Sequence, residues 1–245
     1  MKAGSRKSMN KCLLLKLDLV EYGKAWKLQK RLFNVKQSNQ IEDVFITLQH
    51  PPTYTLGRRN RKTNHFLTDE NQLRNMGYSI YRIDRGGATT YHGPGQIVCY
   101  PIIGMKSYTE DYYHYLRMLE EVMIKTLQDY KIKSRRVEGH TGVWVGKEKI
   151  GFVGVRIVGG TTMHGFSLNV NNDLSPFNMI VPCGIQDVMI TSISKLLKTN
   201  VDTKEITASI MRNFANVFAV EMQNINLEEL LEMIGANETP QLAQG

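Results

Sequence analysis

The sequence predicts an α+β domain, in which a mixed β-sheet is packed with helices. Three observations carry that prediction. Apolar runs of strand length recur between residues 13 and 170, separated by Gly- and Pro-containing turns. Three longer segments repeat apolar residues at helical spacing instead. No internal repeat or linker divides the 245 residues, a length that suits one large domain.

The elements follow in order. Residues 13–17 read as a strand, and Ala25, Leu28, Leu32 and Val35 mark a helix after it. Residues 44–48 form a buried strand, which Pro51 and Pro52 end because proline lacks the ladder donor. Residues 78–83 form a strand that leads into a glycine-rich loop, and residues 97–103 form the next. The longest helix spans 110–130, with Tyr112, Leu116, Leu119, Met123, Leu127 and Tyr130 on one face. Residues 143–145, 149–155 and 161–170 read as antiparallel strands, with Gly159 and Gly160 in one turn. Ile206, Ile210, Phe214 and Val217 share a helical face, and Asp202 with Glu205 caps its start. Leu227, Leu230, Leu231 and Ile234 mark a last short helix ending at Gly235. The expected domain is therefore 13–235. Residues 1–12 are a basic tail or the remnant of a transit peptide, and 236–245 a polar mobile tail.

Composition narrows the function classes. Hydrophobic residues make up 42% and charged residues 22%, as in ordinary soluble domains. No apolar run approaches the roughly 20 residues a membrane helix needs, so no membrane span is expected. Cys12, Cys99 and Cys183 are odd in number and far apart, which points to a reducing compartment rather than a disulfide framework. The net charge of +8 is scattered, with a local cluster at Arg58, Arg59, Arg61 and Lys62. Such a face suits an acidic protein partner better than nucleic acid.

The chemistry concentrates in two places. Residues 85–96 hold five Gly or Pro among twelve, with Arg85 and His92 set between them. Glycine permits close backbone approach, so this loop shapes a pocket floor. The second place is Cys183, flanked by Pro182 and Gly184 in a turn that presents its thiol. A free thiol ionises only near pH ~8.5, so a nucleophilic cysteine needs a cation nearby. Lys149 opens an apolar, glycine-bearing run and can supply one. A buried structural cysteine and a solvent-facing turn lysine remain open as readings of the same residues. Cys12 and Cys99 lie in apolar runs and read as structural. His92 and His164, each followed by glycine, suit a general base, a hydrogen-bond donor or a packed turn residue.

Several classes drop out. There is no Gly-x-x-x-x-Gly-Lys-Ser/Thr loop and no Gly-x-Gly-x-x-Gly opening a helix. No close His or Cys pairs form a zinc set, so no metal is expected. Residues 151–154 mimic a Gly-x-x-Gly nucleic-acid loop but sit in a strand-like run.

Taken together, these motifs resemble the lipoyl(octanoyl) transferases. The resemblance covers about residues 44–197. It rests on 50–58, 85–96, 141–145, 149–154, 164–169, 173–177 and the Pro182, Cys183, Gly184 turn. It implies the biotin/lipoyl protein ligase fold, with Cys183 as acyl-thioester nucleophile and Lys149 as its activating partner. It places substrate contacts at Arg85, Gly86, Gly87, Ala88, Thr89, Thr90, Tyr91 and His92. Others fall at Phe152, Val153 and Gly154, and at Gly165, Phe166 and Ser167, with supporting roles for His164 and Asn169. Ser167, where the family has alanine, and Gly151 with Phe152, where it has smaller residues, depart from the pattern and reshape the acyl pocket.

The implied reaction moves an octanoyl group from octanoyl-acyl carrier protein to the target lysine of a lipoyl domain. Acceptors would be 2-oxoacid dehydrogenases and the glycine cleavage H protein. No cofactor and no ATP are implied. Acyl carrier proteins are acidic, so the Arg58, Arg59, Arg61, Lys62 cluster is the expected docking rim. Amides of the glycine loop near His92 are the expected oxyanion site. The basic N-terminus and the family suggest mitochondria, with a bacterial cytoplasm or plastid as alternative. The rival reading is an ATP-dependent lipoate or biotin protein ligase of the same fold, which needs no thiol.

Overall fold

A computed structural model describes residues 10–61 and 65–235. Residues 1–9 of the expected 1–12 tail, the expected tail at 236–245 and Lys62 of the basic cluster lie outside the described residues, as does the side chain of Arg61; residues 10–12 belong to a strand. The chain runs β1 (Asn10–Leu19), α1 (Tyr22–Gln37), β2 (Asp43–Gln49), β3 (Thr53–Leu56), α2 (Glu70–Asn75), β4 (Ser79–Arg82), β5 (Thr89–His92) and β6 (Gln96–Ile102). It continues α3 (Tyr112–Asp129), β7 (Arg135–Val137), β8 (His140–Val145), β9 (Glu148–Val158), β10 (Thr161–Asn169) and β11 (Met189–Ile190). It closes with α4 (Ile193–Leu197), α5 (Thr203–Phe218), β12 (Val220–Ile225) and α6 (Leu227–Met233).

The main sheet has the order β12-β1-β2-β6-β10-β9-β8-β7, with β11 beside β9. β1 runs parallel to both β2 and β12, whereas β2, β6, β10, β9, β8 and β7 pair antiparallel in turn. Parallel neighbours need a long crossover, and α1 supplies the one between β1 and β2. The mixed sheet with packed helices is the predicted class. A second sheet, β4-β3-β5, stands apart.

Strand alternation sorts the core into two layers. Cys12, Leu14, Ile97 and Cys99 face α3 and α5, where Leu119, Met123, Ile210 and Phe214 pack. Leu13, Leu15, Val98 and Tyr100 face the other way, toward Leu28 and Leu32 of α1 and Leu230 of α6. Tyr54, Tyr91, Phe152 and Phe177 form a third cluster under the small sheet.

Local sequence explains the element ends. Glu21 caps α1, accepting from Gly23 N at 2.8 Å and Lys24 N at 3.0 Å. Asp202 caps α5 through Lys204 N, and Glu205 sits in the first turn, where the helix dipole favours an anion. Asn226 and Glu229 form a reciprocal capping box on α6.

Four differences from the sequence reading have physical causes. β1 begins at Asn10, because Asn10 to Cys12 pair with Val220 to Met222 of an unexpected strand, β12. β12 is a half-polar edge strand, so it carries no clean hydrophobic signal. Pro51 and Pro52 end β2 and redirect the chain into β3 of the second sheet, again unexpected. Tyr112 opens α3 with 39% exposure instead of joining its buried face, and Tyr130 lies just past the helix end.

Gly165 shows how closely β10 approaches β6. A Cβ there would stand 2.1 Å from the carbonyl oxygen of Cys99. Gly165→Ala must push these strands apart, so urea unfolding should show a loss of about 1–3 kcal/mol.

Candidate active site

Cys183 sits in a short 3-10 turn, Pro182–Gly184. Its φ is 59° and ψ 9°, a left-handed conformation unusual for a residue with a Cβ. Backbone bonds from Gly184 N to Val181 O and from Ile185 N to Pro182 O hold the turn. The thiol is half-buried. Strain of this kind costs about 1–3 kcal/mol and persists only where the surroundings enforce it.

Lys149 is the cation beside it. Its Nζ lies 3.4 Å from Cys183 Sγ and donates to the Thr141 carbonyl at 2.9 Å. It also stands 4.5 Å from the Trp144 ring centroid and 5.2 Å from that of Phe152. The lysine is 1% exposed, so it is neither a turn residue nor a solvated one.

A β-bulge puts it there. Along β8 and β9, Val143 pairs with Gly151 but Trp144 pairs with Lys149, leaving Ile150 as an extra residue. Ile150 packs in the α3 layer, and a Cβ on Gly151 would also point at Met123 of α3. Two successive residues thus face α3, and Lys149 falls on the same side as Phe152. Without the bulge, strict alternation would turn Lys149 toward α3.

The pair opens into a cavity of about 310 Å³, within the range of small-molecule sites. Of the expected substrate residues, Arg85, Gly86, Gly87, Ala88, Thr89, Thr90 and His92 line it. So do Phe152, Val153, Gly154, His164, Gly165, Phe166 and Ser167. Tyr91 and Asn169 do not. Tyr91 turns into the small-sheet core, 5.4 Å from Tyr54 and 5.6 Å from Phe177. Asn169 is buried behind the site, donating to Thr191 O and accepting from Gln96 Nε2.

Part of the glycine pattern serves the protein rather than a ligand. A Cβ at Gly57 would meet Arg85 Nη1 at 2.8 Å, and one at Gly154 would meet Arg85 Cδ at 2.9 Å. These glycines make room for the Arg85 side chain. That guanidinium is buried, donates to Thr55 O at 2.7 Å and Thr55 Oγ1 at 2.8 Å, and pairs with no carboxylate among the described residues. Burial pulls its pKa below the ordinary range. The Gly86 amide is committed to Val155 O, so it is not a free oxyanion donor.

Buried polar rings form one wall of the cavity, His92, His164 and Tyr100 lining it and His50 standing behind them. His50 Nδ1 bonds Val20 O at 2.6 Å and its Nε2 meets Tyr100 Oη at 2.7 Å. A carbonyl only accepts, so Nδ1 carries the proton and Tyr100 donates to Nε2. His92 Nδ1 likewise donates to Gln96 Oε1 at 2.7 Å, because Gln96 Nε2 is used on Tyr91 O and Asn169. Burial pushes His50 down to about 4 and His92 to about 3, the latter helped by neighbouring His50. His164, in left-handed conformation at φ 61°, bonds Asp84 Oδ1 through Nε2 at 2.8 Å. Burial lowers it too, against the pull of Asp84.

Sequence reasoning missed Tyr22, Val98, Tyr100, Tyr112, Leu116 and His140, all of which line the cavity. All but His140 belong to a helix or strand face whose pattern reads as core; His140 is an exposed residue at the start of β8. Arg58 and Arg59, from the expected basic rim, do reach its lining and are exposed.

Comparison with known proteins fits this geometry. The Lipoyl protein ligase A/B catalytic domain matches residues 21–215. An octanoyltransferase of Caldicellulosiruptor saccharolyticus is 42% identical over 220 residues, 89% of this chain and 93% of the relative. The chain belongs to the octanoyltransferase family. A chloroplastic octanoyltransferase of Arabidopsis thaliana is 38% identical, over 86% of this chain and 80% of its own. The fold is shared with lipoate-protein ligase A bound with ATP, at TM-score 0.72 and 14% identity, covering 93% of each chain. Members of this family are acyltransferases, and no described helix is long and apolar enough to cross a membrane.

The buried neutral histidines make stability acid-sensitive. Unfolded histidine titrates near ~6.5, above the folded values, so the unfolded state binds more protons below that pH. The contribution is complete above about pH 6.5 and declines as pH falls toward about 4 for His50 and 3 for His92. Unfolding free energy should drop by about 1.4 kcal/mol per pH unit for each such histidine. Urea titrations of wild type and His50→Gln between pH 7 and 5 check this, and the variant should show the shallower slope.

Proposed function

We propose that this chain transfers an octanoyl group from octanoyl-acyl carrier protein to the target lysine of a lipoyl domain, through an acyl-Cys183 thioester. The observation that carries this reading is the 3.4 Å contact between Lys149 Nζ and Cys183 Sγ at one wall of the cavity. An ammonium at that distance stabilises negative charge on sulfur.

In the first half-reaction the Cys183 thiolate attacks the thioester carbonyl of the donor and a carbon–sulfur bond forms. The tetrahedral intermediate expels the carrier thiolate, which takes a proton from Lys149. In the second, the neutral amine of the target lysine attacks octanoyl-Cys183. Lys149, now an amine, accepts its proton as the amide forms and the thiolate leaves. The donor is already a thioester, acyl-Cys183 keeps that activation and the amide product is the more stable bond, so no nucleotide enters.

The surroundings suit these substrates. Phe152, Val153, Val155 and Phe166 give the cavity apolar wall for an alkyl chain. Exposed Arg58 and Arg59 stand at the same cavity, where an acidic carrier would meet them. The acceptors we propose are the lipoyl domains of 2-oxoacid dehydrogenases and the glycine cleavage H protein. For location we propose a bacterial cytoplasm or a plastid, in line with the bacterial and chloroplastic relatives named above. The mitochondrial expectation, drawn from the basic N-terminus and the family resemblance, has no counterpart in those relatives.

The ATP-dependent ligase reading shares the fold and the use of a lysine but gives Cys183, 3.4 Å from Lys149 Nζ, no task. Intact mass after incubation with octanoyl-acyl carrier protein, without ATP, separates the two. Wild type should gain one octanoyl group on Cys183, removed by adding an apo lipoyl domain. Cys183→Ala should gain none, and Lys149→Met should acylate at least ~100-fold more slowly. Modification of the lipoyl domain only when ATP and free octanoate are supplied would move the chain to the ligase class.

A further inference from the structure

Glu120, in the middle of α3, has no place in the reaction described so far. It is 0% exposed, and its position on a helix core face would ordinarily hold an apolar residue. One of its oxygens, Oε2, accepts from Arg117 Nη1 at 2.6 Å and from Arg136 Nε at 3.1 Å. The other, Oε1, accepts from the backbone N–H of Gly142 at 2.7 Å. Gly142 has φ 125°, and a Cβ there would lie 2.8 Å from Lys149 Cε. Glycine at 142 therefore lets the β8 backbone lie directly against the lysine.

The N–H of Gly142 and the C=O of Thr141 belong to one peptide group, and in a trans peptide they point opposite ways. Glu120 bonds one end of that group, and Lys149 Nζ bonds the other at 2.9 Å. The sequence of contacts is carboxylate, peptide N–H, peptide C=O, ammonium, sulfur. An anion on the N–H side polarises the amide and makes its carbonyl a stronger acceptor, since hydrogen bonds in series strengthen one another. Burial of Glu120, Gly142 and Lys149 lowers the local dielectric and adds to the effect.

We infer that Glu120 is a positioning residue for acyl transfer, holding Lys149 against Cys183 through the Thr141–Gly142 peptide. It touches neither substrate nor sulfur. The inference rests on the Lys149–Cys183 reading above. It goes further in assigning the lysine's placement to a carboxylate on another element.

The test is a double-mutant cycle read by the rate of octanoylation of Cys183 from octanoyl-acyl carrier protein. Glu120→Gln keeps the shape and removes the charge. It should lower the rate at least fivefold with the donor KM changed less than twofold. In a Lys149→Met background the same substitution should alter the residual rate less than twofold, because the group it acts through is gone. Arg136→Gln disturbs the same carboxylate but leaves it on Gly142, and it should retain the rate within twofold. Equal losses from Glu120→Gln with and without Lys149 would overturn the inference, as would full activity of Glu120→Gln.

Should Glu120→Gln not fold, reciprocity supplies a second measurement. Lys149→Met in the otherwise native chain should speed hydrogen exchange of the Gly142 amide at least threefold, and unchanged exchange would overturn the inference. A Lys149→Met protein that acylates Cys183 at the wild-type rate would instead refute the reading of the pair itself, so the two failures are distinguishable.

Discussion

The site is organised around one buried ammonium. Removing a lysine charge from water costs several kcal/mol unless the protein replaces its hydration. Here Lys149 receives the Thr141 carbonyl, the faces of Trp144 and Phe152, and the sulfur of Cys183. Those partners come from β8, β9 and the 182–184 turn. Any reaction that uses the thiol therefore depends on the register of three separate segments.

That register is set by defects in otherwise regular structure. The bulge at Ile150 turns Lys149 away from α3, and the left-handed backbone at Cys183 turns the thiol toward it. Both would cost stability in isolation. The buried layers around them, with Met123 and Val143 on one side and Phe177 and Ile180 on the other, provide the surplus that keeps them in place. The same economy appears around the loop after β4. Gly57 and Gly154, on other segments, make room for Arg85 of that loop, whose fixed guanidinium then forms part of the cavity.

Much of this was legible in the chain. The helices α1, α3 and α5 have one buried stripe each, so their periodicity shows in the residues. Strands β2 and β6 are buried on both faces and read as near-continuous apolar runs, whereas β9 is buried mainly in its first half and β10 is buried throughout but carries Thr, His, Ser and Asn. Strands β3, β7 and β12 are short, polar or at an edge, and their place depends on partners far along the chain. The motif residues around the cavity were legible through their combined resemblance to a family, since glycine, arginine and cysteine taken singly have structural uses too, as Gly57 and Gly154 around Arg85 show. Tyr91 was misread because neighbours in a strand face opposite ways, and which of Thr90 and Tyr91 points inward is a matter of register.

The sequence by itself determined the fold class, through the periodicity of its apolar residues, and the family, through the resemblance of its ordered motifs. It offered Cys183 and Lys149 as candidates for the chemistry, with structural readings of both still open. Only the tertiary structure decided that Lys149 is buried and faces Cys183, and that Tyr91 and Asn169 stand outside the cavity. It alone brought Glu120 to the far side of the peptide that holds the lysine. A bulge, a φ sign and a contact 22 residues apart in the chain are products of packing between elements, and local sequence has no means to record them.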